Sequence, residues 1–182
     1  GTYSVTATAT DAAGNTASDT TNNELVVDAT APTVLSVTSS TADGAYNAGK
    51  TISIQVQLSE TVTVTGSPRL ALNTTPTSRN AVFTSVSGAI LTFTYTVVAG
   101  DTAADLDYAS TTALALNGGT IRDAAGNNAT LTLAAPGAAN SLGNNKNIVI
   151  DTTAPTAPSV TSLTTSSRKP TITGTATLGA GE

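Results

Sequence analysis

Apolar and polar residues alternate over several short stretches, which is the pattern of a strand with one face in a core. In residues 51–58 four aliphatic side chains share one face: Ile52, Ile54, Val56 and Leu58. Residues 90–97 repeat the pattern with Leu91, Phe93, Tyr95 and Val97 on one face. No long window places apolar residues at helical spacing, so the sequence predicts an all-β fold with almost no helix.

Clusters of glycine, asparagine and aspartate separate these short strands and favour turns. This organisation predicts a two-sheet antiparallel β-sandwich. The break at Ser59-Glu60 predicts a bulge or a switch between sheets. Asn117–Gly119 predicts a hairpin that joins residues 113–116 to 120–122. Both phenylalanines, Phe83 and Phe93, are expected in the core.

Two motifs occur twice along the chain. Asp11–Asn15 and Asp123–Asn127 have the same sequence, and Asp28–Pro32 is nearly repeated in Asp151–Pro155. Asp28 follows Asp11 by 17 residues and Asp151 follows Asp123 by 28, so the second unit carries 11 more residues, which we place within 133–145. Such duplication predicts a repeat array, in which proline ends each unit.

The repeated motifs divide the chain into three units. Residues 1–28 are interpreted as the last part of one domain, residues 29–151 as a complete domain, and residues 152–182 as the first part of another. We expect neither partial unit to fold alone, because a few strands bury too little apolar surface to offset chain entropy.

Composition excludes several classes of function. The 12 acidic and 7 basic residues give a net charge of −5, which argues against a nucleic-acid partner. Histidine and cysteine are absent, so the usual zinc sites and the Ser-His-Asp and Cys-His mechanisms are excluded. No other catalytic constellation is visible, and we expect no enzymatic activity. Without an apolar run of 18 residues, membrane insertion of this segment is not expected.

Aspartate supplies nine of the twelve acidic residues and is a preferred ligand of calcium. Aspartate also forms local hydrogen bonds in turns, so each turn aspartate has a purely structural interpretation as well. One loop holds Asp101, Asp105 and Asp107 close together in sequence. This loop is interpreted as a solvated acidic loop, with a further ion site as the alternative.

The ordered set of motifs, together with Leu58–Val62 and Ala99–Tyr108, resembles the tandem bacterial immunoglobulin-like repeats of giant secreted surface adhesins. These are the adhesins of the biofilm-associated and repeats-in-toxin type. The resemblance implies an immunoglobulin-like Greek-key sandwich that contacts neighbouring repeats in the same chain. It also implies a secreted protein of the bacterial cell surface, in which this segment is a stalk that supports cell adhesion or biofilm formation.

The resemblance further implies calcium ions at the seams between domains. One seam would be formed by Asp11, Asn15 and Asp28, with Glu60 or Asp43 from the middle unit. The other would be formed by Asp123, Asn127 and Asp151. Arg168 and Lys169 follow the second seam, and these two cations weaken it or shift its ligands to backbone carbonyls.

An alternative function belongs to a different class. The chain would be a subunit of an extracellular fibre, in which other copies complete the partial units by strand exchange. Open sheet edges make such an exchange physically reasonable.

Overall fold

The computed structural model describes residues 1–19, 21–22 and 25–176. About 40% of the chain is strand and 2% is helix, so the all-β prediction is confirmed. The helix found there, α1 (Leu142–Asn145), lies where the insert was predicted and begins at the N-cap Ser141. None of the described helical residues form a segment long and apolar enough to cross a bilayer.

The strands are short and follow one another closely. Those of residues 1–28 are β1 (Thr2–Tyr3), β2 (Thr8–Thr10), β3 (Thr16–Ser18) and β4 (Leu25–Val26). Those of residues 29–151 are β5 (Val34–Ser39), β6 (Gly44–Tyr46), β7 (Thr51–Leu58), β8 (Thr63–Thr65), β9 (Arg69–Ala71), β10 (Asn80–Ser87), β11 (Ile90–Thr96), β12 (Thr102–Ala103), β13 (Leu114–Ala115), β14 (Thr120–Arg122) and β15 (Ile148–Asp151). The last two are β16 (Ser159–Val160) and β17 (Gly174–Thr175).

The middle unit has a sandwich-like arrangement around one core. A six-stranded antiparallel sheet has the order β13-β9-β10-β11-β7-β5, and smaller sheets have the orders β12-β15-β6 and β14-β8. β15 pairs with β6 in parallel and with β12 antiparallel. The described buried hydrophobic residues all lie between Val37 and Ile150, and they come from the six-stranded sheet and from the smaller sheets alike.

Strands β7 and β11 provide the centre of this core. All eight apolar residues that alternation placed on their inner faces are buried: Ile52, Ile54, Val56, Leu58, Leu91, Phe93, Tyr95 and Val97. The two strands are antiparallel neighbours, with Phe93 opposite Ile54. Phe83 is half-buried and packs edge-on against Phe93, with ring centroids 5.9 Å apart. The prediction that both phenylalanines belong to the core is therefore confirmed.

Two connections show where local sequence signals succeed and fail. The chain leaves the six-stranded sheet after Leu58 and enters the β14-β8 sheet at Thr63, so the predicted sheet switch is confirmed. The predicted hairpin is wrong. Asn117 and Gly118 do form a turn with positive φ, but β13 then pairs with β9 whereas β14 pairs with β8. Pairing of Thr120 with Thr65 directs the second strand to the other sheet.

Gly119 is required at this crossing because the backbone of β8 lies against it. A Cβ atom at Gly119 would stand 2.0 Å from the Thr65 carbonyl oxygen, whereas one at Gly118 would meet open space. We therefore expect Gly119→Ala to destabilise the fold by about 3 kcal/mol, in the range of overpacked sites. Gly118→Ala should cost only about 1 kcal/mol, for its positive φ. Chemical denaturation of both variants measures the difference, and equal losses would contradict the close approach.

The flanking units are small sheets that bury little. β1 pairs with β4, β2 with β3, and β16 with β17. Two short strands form within residues 2–10, and their residues are exposed. The core of the middle unit does not extend to either flank.

Candidate metal centre

The Asp123–Asn127 turn is built around one buried carboxylate. Asp123 is 5% exposed. Its Oδ1 accepts a hydrogen bond from the Asn127 backbone N–H at 2.8 Å, and its Oδ2 accepts one from Asn127 Nδ2 at 2.7 Å. Gly126 has a φ of +95°, which closes the turn at no steric cost. The turn directly follows β14, so the β14-β8 sheet positions it.

This turn also binds the segment that leads into the middle unit. Asn127 Nδ2 donates to the carbonyl oxygens of Asp28 and Thr30, at 3.1 and 3.3 Å. The Thr130 N–H donates to the Pro32 carbonyl at 2.8 Å, and Pro32 is buried. Residues 28–32 are therefore fixed on the middle unit before β5 begins.

Glu60 completes the arrangement from a third part of the chain. It follows the end of β7, where the Ser59 N–H donates to the Thr33 carbonyl at 2.9 Å. Each of Asp28, Glu60 and Asp123 offers one carboxylate oxygen, and these three oxygens lie within 4.8 Å of one another. We call these residues the three-carboxylate cluster. Asp28 is exposed, Glu60 half-buried and Asp123 buried.

The negative charges of the cluster shift the pKa of one member, Glu60. Partial burial raises the pKa of Glu60, and the charges of Asp28 and Asp123 raise it further. Burial also raises the pKa of Asp123, but the hydrogen bonds from Asn127 and the turn backbone outweigh it, so that pKa is lowered overall. The two salt bridges found among the described residues, Arg79–Asp101 and Lys146–Asp43, lie outside the cluster.

The donor set fits a hard divalent cation. The cluster brings together one oxygen from each of three carboxylates, and calcium takes six to eight oxygens from carboxylates, carbonyls and water. Zinc prefers imidazole and thiolate, which this chain does not contain. Asp28, Glu60 and Asp123 would hold the ion, which would offset their mutual repulsion.

The structure groups the predicted ligands differently from the sequence expectation. Asp123 and Asn127 were expected to meet Asp151, but they meet Asp28 and Glu60. Asp28 lies beside the end of β7, whereas Asp151 lies beside the loop that follows β11, near the beginning of β7. The eight residues of β7 span about 25 Å, which separates the two. Asn127 donates through its amide nitrogen to Asp123 Oδ2 and so positions one member of the cluster.

The other predicted seam residues have local partners. Asp11 and Asn15 form an exposed turn, and the Asn15 side chain lowers the pKa of Asp11. Asp151 Oδ1 accepts from the Thr153 N–H at 2.8 Å. Asp43 forms an ion pair with Lys146 at 2.9 Å. None of Asp11, Asp43 and Asp151 belongs to the three-carboxylate cluster.

The loop of Asp101, Asp105 and Asp107 was predicted to be solvated, and this is wrong for two of its three carboxylates. Asp101 is fully buried and Asp107 is 4% exposed, whereas Asp105 is exposed. Asp101 binds Arg79 and Tyr95, so it is already neutralised by the protein. Asp107 accepts from the N–H groups of Tyr108 and Gly137. Partial burial and then the charge of Asp107 raise the pKa of Asp105.

Sequence reasoning missed the way in which Asn127 binds residues 28–32. The repeated motifs were visible as a turn and a linker. Nothing in their spacing showed that the Asp123–Asn127 turn of the middle unit binds residues 28–32, the linker that leads into the same unit. Comparisons of the chain with protein-family models, curated proteins and solved structures found no significant match. The geometry of the cluster and the linker therefore carries the functional argument.

Proposed function

We propose that this chain is a stalk segment of a bacterial extracellular repeat adhesin, with a calcium ion that stiffens the joint at Asp28. The single observation that carries the proposal is the convergence of Asp28, Glu60 and Asp123 on the linker between two units. A stalk holds a distal binding domain away from the cell, in support of adhesion or biofilm formation.

The position of the cluster supports a mechanical role. Asp28 belongs to the linker, whereas Glu60 and Asp123 belong to the folded middle unit. An ion shared by all three would tie the linker to that unit, in addition to the hydrogen bonds from Asn127. Without an ion, the like charges repel one another and favour a more flexible joint.

Calcium should raise the thermal unfolding midpoint of the chain, because a ligand that binds only the folded state stabilises it. At a free calcium concentration about 100 times the Kd, the expected gain is about 2.7 kcal/mol. Differential scanning calorimetry with calcium and then with chelator measures the shift. Asp28→Asn and Asp123→Asn should each remove most of it.

Asp19→Asn is the matched control, because Asp19 is an exposed aspartate of the first unit whose carboxylate accepts from the N–H and the hydroxyl of Thr21 in its own turn. This variant should keep the full calcium shift. Small-angle scattering should show a more compact average shape in chelator, since a flexible joint samples bent arrangements. Scattering curves and midpoints that do not respond to calcium would overturn the proposal.

A further inference from the structure

The 11 extra residues of the second repeat were placed within 133–145, and this part of the chain binds the first strand of the middle unit. Residues 134–147, here called the connecting segment, contain α1 and lead into β15. The Val37 N–H in β5 donates to the Asn140 carbonyl at 2.9 Å, and Asn145 Nδ2 donates to the Val37 carbonyl at 2.8 Å. The segment therefore binds both backbone polar groups of Val37, on the edge strand of the six-stranded sheet.

The connecting segment is itself fixed to the core of the middle unit. The side chain of Leu142 is fully buried. The Gly137 N–H donates to Asp107 Oδ2 at 2.9 Å, and the Tyr108 hydroxyl donates to the Ala134 carbonyl at 2.7 Å. Displacing the segment would break these bonds and expose Leu142, so the segment resists movement along β5.

Tension along the chain would load the contact at Val37 in shear. β5 runs away from the Asp28 end of the middle unit, because it is antiparallel to β7 and begins beside the end of β7. β15 runs towards the opposite end, because it is parallel to β6, which leads into the start of β7. A pull on both linkers draws β5 and β15 in opposite directions along one axis, so the two bonds at Val37 are strained together rather than in succession.

We infer that the connecting segment is a force-bearing clasp between the first and last strands of the middle unit. Tension enters along β5, crosses from Val37 to Asn145 and leaves along β15. The covalent part of this path is residues 28–37 and 145–151, so the sheets built from residues 38–133 are bypassed. The inference rests on the proposed stalk function, because a stalk under tension is what would load this contact.

The clasp matters because the strands around β15 are short. β15 pairs with β6 at three positions and with β12 at two, whereas β5 pairs with β7 at five. Without the clasp, the load on β15 would cross to the rest of the unit through short pairings such as these. With it, part of the load passes directly to β5, and the clasp must break before β15 is pulled out.

Single-molecule force spectroscopy of the whole chain tests the inference. The chain is placed between marker domains of known unfolding force and held at constant load in chelator, and the unfolding rate of the middle unit is measured. Asn145→Ala removes the amide that crosses the clasp and should raise this rate about fivefold, the factor that corresponds to one net hydrogen bond. A rate equal to that of the unchanged chain would overturn the inference.

Asn117→Ala is the matched control. Asn117 Nδ2 also donates to a backbone carbonyl, that of Ser67 at 3.1 Å, but this bond lies outside the path of the load. Because Asn117 has a φ of +47°, its replacement should lower stability in urea at least as much as Asn145→Ala does. The rate under load should nevertheless stay unchanged. If both variants accelerated unfolding under load by the same factor, Asn145 would contribute ordinary stability and the clasp would be wrong.

The applied load replaces the tension that a stalk would experience, so the outcome does not depend on calcium at the three-carboxylate cluster. An unchanged rate in Asn145→Ala together with a calcium shift of the unfolding midpoint would overturn the clasp and leave the calcium-stiffened joint in place. A raised rate together with no calcium shift would support the clasp and overturn the joint.

Discussion

Replacing Arg79 with methionine should destabilise the fold by about 3 to 5 kcal/mol, the cost of leaving a buried charge without its partner. Asp101 is fully buried, and Arg79 Nε donates to its Oδ1 and Oδ2 at 2.9 and 3.1 Å. The Tyr95 hydroxyl donates to Oδ2 at 2.7 Å. Arg79 is the only cation in the described structure that forms an ion pair with this carboxylate.

The stability lost in the Arg79→Met variant should depend on pH. Burial raises the pKa of Asp101, but the hydrogen bonds from Tyr95 and Arg79 outweigh it, so the pKa is lowered overall. The native carboxylate therefore contributes stability above its ordinary pKa of 3.8, and this stability is lost as the pH falls through the lowered value. Loss of Arg79 removes its hydrogen bond and its charge, both of which lower this pKa, so the deficit of the variant should be largest near neutral pH and smaller at low pH.

Urea denaturation of Arg79→Met and of Arg122→Met measures the effect. Arg122 is an exposed arginine whose Nε bonds Asn128, and its replacement should change stability by less than about 0.5 kcal/mol. The triple variant Arg79→Met/Asp101→Leu/Tyr95→Phe removes both charges and the unpartnered hydroxyl, and it should recover most of the loss. A loss of less than about 1 kcal/mol in Arg79→Met would contradict the buried-pair account.

The same network supports the second linker. The Thr152 hydroxyl donates to the Asp101 carbonyl at 2.9 Å and accepts from the Gly100 N–H at 2.9 Å. The two ends of the middle unit are therefore fixed by different means. Hydrogen bonds from Asn127 and from the Thr130 N–H hold the linker at Asp28, and a buried ion pair lies beneath the linker at Asp151.

Alternation predicted the inner faces of β7 and β11 because the period of two is a local property of an extended chain. It could not predict which strands become neighbours. Residues 113–122 carry a genuine turn signal at Asn117-Gly118, but the flanking strands join different sheets, since β13 pairs with β9 and β14 pairs with β8. Sheet membership depends on residues about 50 positions away in sequence.

The candidate site shows the same limit. The residue types and most of the positions were predicted, because aspartates in repeated turns and linkers offer oxygen ligands. The grouping of Asp28 with Glu60 was one of the predicted options, but the position of Asp123 beside them was not predicted, because it depends on the end of the sandwich at which each strand finishes. Glu60 follows β7 and Asp123 follows β14, and only their partners in the sheets place both beside Asp28. Asp101 was misjudged for a related reason, since Arg79 is 22 residues away in sequence.

Glu60→Gln should have opposite effects on the stability of the calcium-free fold and on calcium binding. Burial and the neighbouring carboxylates raise the pKa of Glu60 above 4.5, so its ionisation opposes folding. The stability that Glu60 contributes is therefore present at low pH and is lost as the pH rises through the raised pKa. In chelator at neutral pH, the glutamine variant should unfold at a higher temperature than the unchanged chain.

With calcium, the glutamine variant should unfold at a lower temperature than the unchanged chain, because the variant supplies one carboxylate fewer. Its calcium affinity should fall by more than about tenfold, which is the least that loss of a supporting residue costs a metal site. Calorimetric titration measures the affinity, and melting curves between pH 4.5 and 8 in chelator measure the stability difference. Asp19→Asn should alter neither. Unchanged affinity would remove Glu60 from the ion site, and a lower midpoint in chelator would show that its charge does not oppose folding.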